Sequence, residues 1–574
     1  MCLVKFINRD VEIKVKRKTT LMKCIRMAGF KMETPCNGEG RCYKCKVEAF
    51  GNLSEKTEEE KKHTENDYTR LACMTKILGD AKIKLFDNTK VLKTINGGSC
   101  IEVQVDSAIK KVKLPCIDTK KVDPYINTLK FKSDIFSNLK KIGQLEKSKP
   151  DEIYGITFKN NLVSLQTHSI NLLGVALDIG TTGLSAYLVD LENGNVLNRV
   201  SALNPQTEYG GDVLSRITFS MKKKDGIDIL SKCIRDELNR IIKKLTYKKY
   251  SPCSIYRIMI AANTTMLHLF LGISPDSIAK APYRAVFLDE LNLKARELDI
   301  HINEEGILTL IPSVSSYVGA DIVAGIIATD FHNRNYPAVF IDIGTNGEIA
   351  AISNGKMAAS STAAGPALEG MNISCGMRAE EGAIESFDID DNFNLTYSTI
   401  NNKSAKGICG SGLIDIAASL VKRNVILSTG RFNKELQNKL KDRIRDKKFY
   451  ITDNVYISQK DIRQIQLAKA AISSGITMLL NQININIESI EEIVIAGAFG
   501  YHINSESIKE IGLIPKGFNH QINFVGNSAI EGAKIALINE NKLNEMSTIK
   551  NNIKIVELST RDDFQDHFVK ALNF

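Results

Sequence analysis

Three cysteines fall within ten residues of PCNGEGRCYKCKVEAF, residues 35–50, and a fourth follows in RLACMTKI. Cys36, Cys42 and Cys45 read Cys-x5-Cys-x2-Cys, and Cys73 follows after 27 intervening residues. Thiolates at such spacing are ligands for zinc or for iron with sulfide. A structural zinc site usually draws on two tight cysteine pairs, whereas here one loop offers three thiols and a distant segment offers one. That asymmetry favours a [2Fe–2S] cluster, wrapped by a loop and closed by a remote strand, over zinc or plain structural thiols. Gly38 and Gly40 agree, because backbone amides approach sulfide only where no Cβ intervenes and positive φ is tolerated. Cys2 and Cys24 do not fit the spacing and are expected as core or surface thiols.

A second chemistry is written twice. GVALDIGTTGLSAYLVD, from residue 174, reads as a buried strand ending in Asp178, a turn of Gly180, Thr181, Thr182 and Gly183, and a second strand. AVFIDIGTNGEIAAI, residues 338–352, repeats the design with Asp342, Gly344, Thr345, Asn346 and Gly347. Such a recurrence, 164 residues apart, is an internal duplication. Two turns facing each other across a cleft present N–H groups and hydroxyls to phosphates, while each aspartate holds Mg²⁺ or orients water. EEIVIAGAFGYHI, residues 491–503, adds a strand running into Gly497, Ala498, Phe499 and Gly500, where adenine or ribose could lie against backbone. A duplicated α/β protein without nucleotide is the competing reading. Glu348 follows the second turn, but strand alternation aims it away from Gly347's neighbours. His268, in NTTMLH, is expected in the core; Cys409, in GICGSGLID, is expected as a buried thiol at a turn that serves either packing or an anion.

The elements around these residues follow from local pattern. Residues 2–7 and 11–17 predict a strand hairpin, Thr20 caps a short helix through Met27, and Gly29 ends it. EKTEEEKKHTEND, between the third and fourth cysteines, predicts a solvated helix, open to contact with an electron donor. IEVQVDSA at 101–108 looks strand-like within a linker, and a small α+β region runs to about residue 170. YVGADIVAGIIATD and NSAIEGAKIAL are helices rich in small residues, suited to close packing, and AKAAISSGITMLLNQI is a long apolar-periodic helix.

Composition excludes several classes. The chain of 574 residues is 43% hydrophobic and 25% charged, ordinary for a soluble protein with several cores. Its net charge of +10 comes from scattered lysines with no interleaved aromatics, so no nucleic acid is expected as a partner. No secretory core opens the sequence and no run approaches eighteen apolar residues, so a cytoplasmic protein without a membrane span is expected. Twelve cysteines, four clustered and the rest dispersed in apolar contexts, suit metal binding in a reducing compartment.

Hairpin, helix and cysteine loop, in that order, resemble the [2Fe–2S] ferredoxins, with the x5 first gap of the vertebrate type. The order of phosphate turn, small-residue helix, second turn, glycine-rich strand and second small-residue helix resembles the acetate and sugar kinase, heat-shock chaperone and actin superfamily. Together, and with AANTTMLHLFLG, AAGPALEGMNISCGMRAEEGAI and RDDFQDHFVKALNF, the chain resembles the reductive activators of corrinoid-dependent enzymes. The resemblance implies a multidomain α+β and α/β protein. Its parts are a β-grasp ferredoxin domain (1–95), a linker (96–125), a small middle domain (126–172) and a duplicated ribonuclease-H-like ATPase core (173–335 and 336–574). It further implies a [2Fe–2S] cluster on Cys36, Cys42, Cys45 and Cys73, and ATP with Mg²⁺ at Asp178 and Asp342. The partners it implies are a corrinoid protein of a methyltransferase system, a low-potential electron donor and a second copy of the chain. Activators of 2-hydroxyacyl-CoA dehydratases share the kinase-like core but carry a bridging [4Fe–4S] cluster. A non-redox reactivating factor for cobalamin enzymes is the other class to separate.

Overall fold

The computed structural model describes residues 1–574 apart from 9–10, 31, 33–37, 39, 41–42, 44, 65, 86–97, 119, 121, 130–135, 438, 498–502, 559–560 and 562. Cys36, Cys42, Ala498, Phe499 and Gly500 therefore lie outside the described residues.

CLVKF alternates apolar and polar residues and so buries one face as a strand. β1 (Cys2–Phe6) pairs antiparallel with β2 (Val11–Val15), sending Val4, Phe6 and Val15 into a core. Thr20 accepts a hydrogen bond from Lys23 N at 3.3 Å and caps the helix Leu21–Met27. β3 (Lys46–Leu53), β4 (Thr69–Leu71) and β5 (Ile77–Lys84) complete a sheet of order β2-β1-β5-β3-β4, with β1 and β5 parallel. This is the expected β-grasp arrangement.

The acidic run forms the helix Glu58–His63, but it is not wholly solvated. Glu60 is fully buried, accepting from Arg70 Nε at 3.1 Å, Leu71 N at 3.1 Å and Thr75 Oγ1 at 2.7 Å. It thereby pins the helix to the turn after β4 that carries Cys73. Because Arg70 is itself only 5% exposed, Glu60→Ala leaves a buried cation without its carboxylate. The expected cost is about 3–5 kcal/mol, read as lost amide-exchange protection across residues 69–84; protection equal to the parent's would refute it.

The strand expected in IEVQVDSA does not form. Its backbone is used instead as a strap: Ile101 N donates to Ala328 O at 2.9 Å and Asp106 N to Ile538 O at 2.8 Å, at the ends of two helices. β6 (Ile109–Leu114) then lies inside the stretch expected as linker and pairs along its length with β7 (Ile153–Phe158), which pairs with β8 (Asn161–Gln166). The helix Phe136–Ser148 belongs to this small unit, contributing Ile142 and Leu145 to its core.

The rest of the chain builds two large sheets. The first holds β9 (Leu173–Ile179), β10 (Gly183–Asp190), β11 (Val196–Leu203), β12 (Ile255–Ala262), β13 (Leu291–Lys294) and β14 (Ile307–Leu310). The following segment gives β15 (Ala338–Ile343), β16 (Gly347–Ser353) and β17 (Lys356–Thr362). Two three-stranded additions come next, β18 (Ala383–Ile389) with β19 (Leu395–Thr399) and β20 (Gly407–Ile408), then β21 (Ile444–Arg445) with β22 (Lys448–Tyr450) and β23 (Tyr456–Ser458). β24 (Glu492–Ala496), β25 (Gln521–Gly526) and β26 (Ile553–Ile555) complete the second large sheet.

Their orders, β11-β10-β9-β12-β14-β13 and β25-β24-β15-β16-β17-β26, contain the same motif. In each, a three-strand antiparallel meander is extended from its first strand by two parallel strands. The duplication seen in the sequence is thus a duplicated ribonuclease-H-like sheet. Between the sheets, the helices Ala320–Ala328 and Ser528–Ile538 pack against each other. Small residues are required at the crossing, because a Cβ on Gly532 would sit 2.1 Å from Ala324 O. Among the described residues, no helix is long and apolar enough to cross a membrane.

Candidate functional site

The two Asp-x-Gly-Thr turns meet. Thr182 Oγ1 lies 3.4 Å from Thr345 Oγ1, and both hydroxyls donate to one oxygen of Glu369, at 3.1 and 3.3 Å. Each turn is fixed locally. Gly180 bends so tightly that a Cβ would stand 2.8 Å from Gly183 O, and Gly344 N donates to Asn346 O at 3.1 Å. Asn263, which caps the helix Thr264–Leu271, holds Thr181 Oγ1 at 3.2 Å. A cleft of about 210 Å³ lies between the turns, and its walls include Asp178, Asp342, Asn346, Gly410 and Gly497.

Gly497 closes the glycine-rich strand at φ 120°, where a Cβ would meet Ile343 O at 2.3 Å. The strand end can approach the second turn only because that residue is glycine. Asp178 accepts from Asn527 Nδ2 at 2.8 Å, and Asn527 in turn caps the helix Ser528–Ile538. Asp342 stands directly across the hairpin from Glu348.

That register corrects one expectation. Glu348 does not point away from the turn: opposed residues of an antiparallel pair share a face, so it lies on the cleft side with Asp342. Counting back from the Ile343↔Gly347 closing pair would have found it. Asp321 and Glu369 were missed because neither stands in a turn motif. Asp321 opens the small-residue helix Ala320–Ala328, and Glu369 ends a short 3₁₀ turn, Pro366–Glu369. His268 is a core residue as expected, with Nδ1 on Thr264 O at 2.7 Å and Nε2 accepting from Val286 N at 3.0 Å. The GICGSGLID turn serves packing at Gly412, where a Cβ would meet Ile384 O at 2.2 Å, while Gly410 faces the cleft; Cys409 is a buried thiol.

Five carboxyls therefore face one cleft. Burial pushes Asp178 up to about 7, Asp321 to about 6 and Asp342 to about 8, and it also raises Glu348 and Glu369. Mutual repulsion adds to the shift at Asp342 and Glu348. Among the described residues no three of them converge closely enough to hold a metal ion by themselves, so a divalent cation here would need oxygen ligands beyond the carboxyls. The folded chain keeps protons here that unfolding releases near the ordinary aspartate value of 3.8, so stability falls as pH rises from there through about 8. In EDTA, the melting temperature is expected to be several degrees lower at pH 8 than at pH 6, and Mg²⁺ should narrow the gap. A pH-independent melting temperature would argue that the carboxyls are not proton-linked to folding.

At the other end of the chain, Cys45 Sγ and Cys73 Sγ stand 3.3 Å apart. Cys45 lies just before β3 and Cys73 just after β4, and Ala72 N donates to Cys45 O at 2.8 Å, which locks the two together. Their separation is close to the roughly 3.8 Å edge of a tetrahedron of thiolates bound at about 2.3 Å. Gly38 and Gly40 take φ 82° and 76° beside them, and a Cβ on Gly38 would lie 3.7 Å from Cys73 Cβ. These residues fit the thiolate cluster expected of the loop. Cys2 and Cys24 are packed in the core of this unit.

Residues 5–78 match the 2Fe-2S iron-sulfur cluster binding domain, 173–334 the RACo middle region, and 337–574 the C-terminal domain of RACo, the ASKHA domain. The corrinoid activation enzyme RamQ of Eubacterium limosum is 30% identical, the alignment covering 98% of each chain. The chain belongs to the corrinoid activation enzyme family. A second relative, the [Co(II) methylated amine-specific corrinoid protein] reductase of Methanosarcina barkeri, is 25% identical over 70% of this chain and 77% of its own. A solved structure described as a reductive activator for corrinoid, iron-sulfur protein superposes with a TM-score of 0.76 at 30% identity, covering 100% of this chain and 98% of that one. In this chain the matched regions divide the sites, with Cys45 and Cys73 in the first, Asp178 and Thr182 in the second, and Asp342, Thr345 and Gly497 in the third.

Proposed function

We propose that the protein is an ATP-dependent reductive activator that returns the inactive Co(II) form of a methyltransferase system's corrinoid protein to Co(I). The observation that carries the reading is the 3.4 Å approach of Thr182 to Thr345, in a chain whose N-terminal unit brings Cys45 and Cys73 to 3.3 Å. A phosphate site and a thiolate site in one chain join nucleotide chemistry to electron chemistry. Cys36, Cys42, Cys45 and Cys73 are the ligands of the [2Fe–2S] cluster, which supplies one electron when bound.

The need for ATP follows from potentials. A donor near about −400 mV faces a Co(II)/Co(I) couple expected to lie lower. Each 59 mV of mismatch costs tenfold in a one-electron equilibrium, so a gap of about 100 mV leaves only a few per cent reduced. In this reading Asp178 and Asp342 hold Mg²⁺ and orient water, with Asp321 and Glu348 beside them. Thr181, Thr182, Thr345 and Asn346, on the turns of Gly180, Gly344 and Gly347, hold phosphates. Gly497, with Ala498, Phe499 and Gly500, backs the adenosine. Closure of the two lobes on nucleotide alters the complex with the corrinoid protein, and hydrolysis resets it. A low-potential reductant supplies the electron, the chain works in the cytoplasm, and a homodimer is its expected state.

The test is a visible absorption trace of a Co(II) corrinoid protein mixed anaerobically with this protein and a low-potential reductant. The Co(I) band should appear only after MgATP. Hydrolysis without Co(I) from any corrinoid partner would point to another electron acceptor.

A further inference from the structure

The first phosphate turn is tied to a second feature by bonds that nucleotide binding alone does not explain. Asn204, fully buried, donates its N–H to Thr182 O at 2.9 Å and its Nδ2 to Gly180 O at 2.8 Å, and accepts from Gln206 N at 3.0 Å. It thus joins the back of the turn to the corner formed by residues 204–210. Arg216, also fully buried, repeats the connection: its guanidinium donates to Thr181 O, to Gly210 O at 3.0 Å and to Gln206 Oε1 at 3.2 Å. Every one of these acceptors is neutral. Burial holds this guanidinium down to about 10, and the cation lies directly behind a turn built for phosphate.

The corner's other side meets the ferredoxin unit. Arg26, on the helix Leu21–Met27, donates to Glu208 O at 2.5 Å and stands over the Tyr209 ring at 5.5 Å. The same helix touches the cysteine loop: Met22 N donates to Ala72 O at 2.8 Å, one residue before Cys73, and a Cβ on Gly38 would strike Met22 Cε. Tyr209 is in turn packed on Phe219, three residues beyond Arg216, with ring centroids 4.9 Å apart.

We propose that Arg216 and Arg26 grip the 204–210 corner from opposite sides and so couple nucleotide at the first phosphate turn to docking of the ferredoxin unit on the ATPase core. The coupling is positive. A docked Arg26 fixes the corner; the fixed corner holds Asn204 and Arg216, and through them the carbonyls of Gly180, Thr181 and Thr182, in the geometry that receives phosphate. Preorganisation of this kind raises affinity by removing the cost of ordering. By linkage, nucleotide must tighten docking by the same factor. Arg216 and Arg26 are positioning residues: neither is placed against the phosphates. The proposal rests on the nucleotide reading above.

The experiment measures MgATP affinity by equilibrium binding in the full-length, cluster-loaded chain and in its Arg26→Ala, Arg26→Lys and Tyr209→Leu variants. Amide exchange over 21–27 and 204–210 is followed with and without MgATP. Arg26→Ala is expected to weaken MgATP about five- to tenfold, within the usual range of coupling between sites. Tyr209→Leu should weaken it less and Arg26→Lys least. In the parent, MgATP should slow exchange in both segments, and this protection should vanish in Arg26→Ala. Arg26 is on the ferredoxin unit, so a merely structural role would alter the visible spectrum and leave the affinity unchanged. Unchanged or tightened MgATP binding in Arg26→Ala overturns the coupling while leaving the nucleotide site standing. Absence of MgATP binding in the parent overturns both.

Discussion

Asp178→Asn is expected to lower steady-state ATP hydrolysis on the order of 10²–10³-fold, the usual scale for removing one preorganised electrostatic group from a reacting centre. The amide is isosteric and its carbonyl oxygen still accepts from Asn527 Nδ2, so the cap of the helix Ser528–Ile538 is retained. What is lost is the charge that holds a cation against phosphate. Asp342→Asn should act alike, because the two aspartates stand at equivalent strand ends of the duplicated sheets. In both variants the Mg²⁺ concentration giving half-maximal hydrolysis should rise. Stability should move the other way: burial raises Asp342 most and repulsion from Asp321, Asp178 and Glu369 raises it further, so removing one buried charge relieves the others. A melting temperature equal to or above the parent's, with hydrolysis lost, separates a catalytic effect from unfolding. Parent-like phosphate release from both variants would end the assignment of these aspartates.

What could be read from the sequence, and what could not, divides by locality. The strand-turn-strand hairpins at 173–190 and 338–353 were legible because alternation, Gly and Thr are local signals, and their repetition implied two similar sheets facing each other. Thr182 and Thr345 are therefore nameable from the two hairpins alone. Asp321 and Glu369 were not, since each reaches the cleft only through packing that no window of sequence records. Glu348 was misdirected by applying alternation from the turn instead of counting the register that pairs it with Asp342. IEVQVDSA failed for a different reason: its pattern fits a strand, but helix ends at Ala328 and Ile538 take its hydrogen bonds. Glu60 reads as one charge in a solvated run, and Arg70 and Leu71, on β4, with Thr75 after it, are the distant partners that make it a buried residue. Arg216 and Arg26 carried no signal at all, because their meaning lies in a corner neither belongs to.

Cys45→Ser and Cys73→Ser should each abolish the visible absorption of the reconstituted chain and all Co(I) formation, while MgATP hydrolysis persists. Serine nearly preserves the volume of the side chain but removes the soft thiolate that iron and sulfide require. Cys45 is 2% exposed and its sulfur lies 3.3 Å from that of Cys73, so a hydroxyl there could not be replaced by a ligand from solvent. The informative control is Cys24→Ser. Cys24 is also buried in the same unit, and burial pushes its thiol up to about 11, leaving it protonated and unfit as a ligand. Its variant should keep the full spectrum and the Co(I) yield, with at most a modest loss of stability from placing a hydroxyl in an apolar core. The two halves of the proposed activity would then separate cleanly: aspartate variants with an intact cluster and no hydrolysis, cysteine variants with hydrolysis and no electron. A spectrum surviving in both Cys45→Ser and Cys73→Ser would place the ligands elsewhere. MgATP affinity weakened about five- to tenfold along with the lost spectrum, with hydrolysis restored at saturating MgATP, would mean that an emptied ferredoxin unit no longer docks on the 204–210 corner.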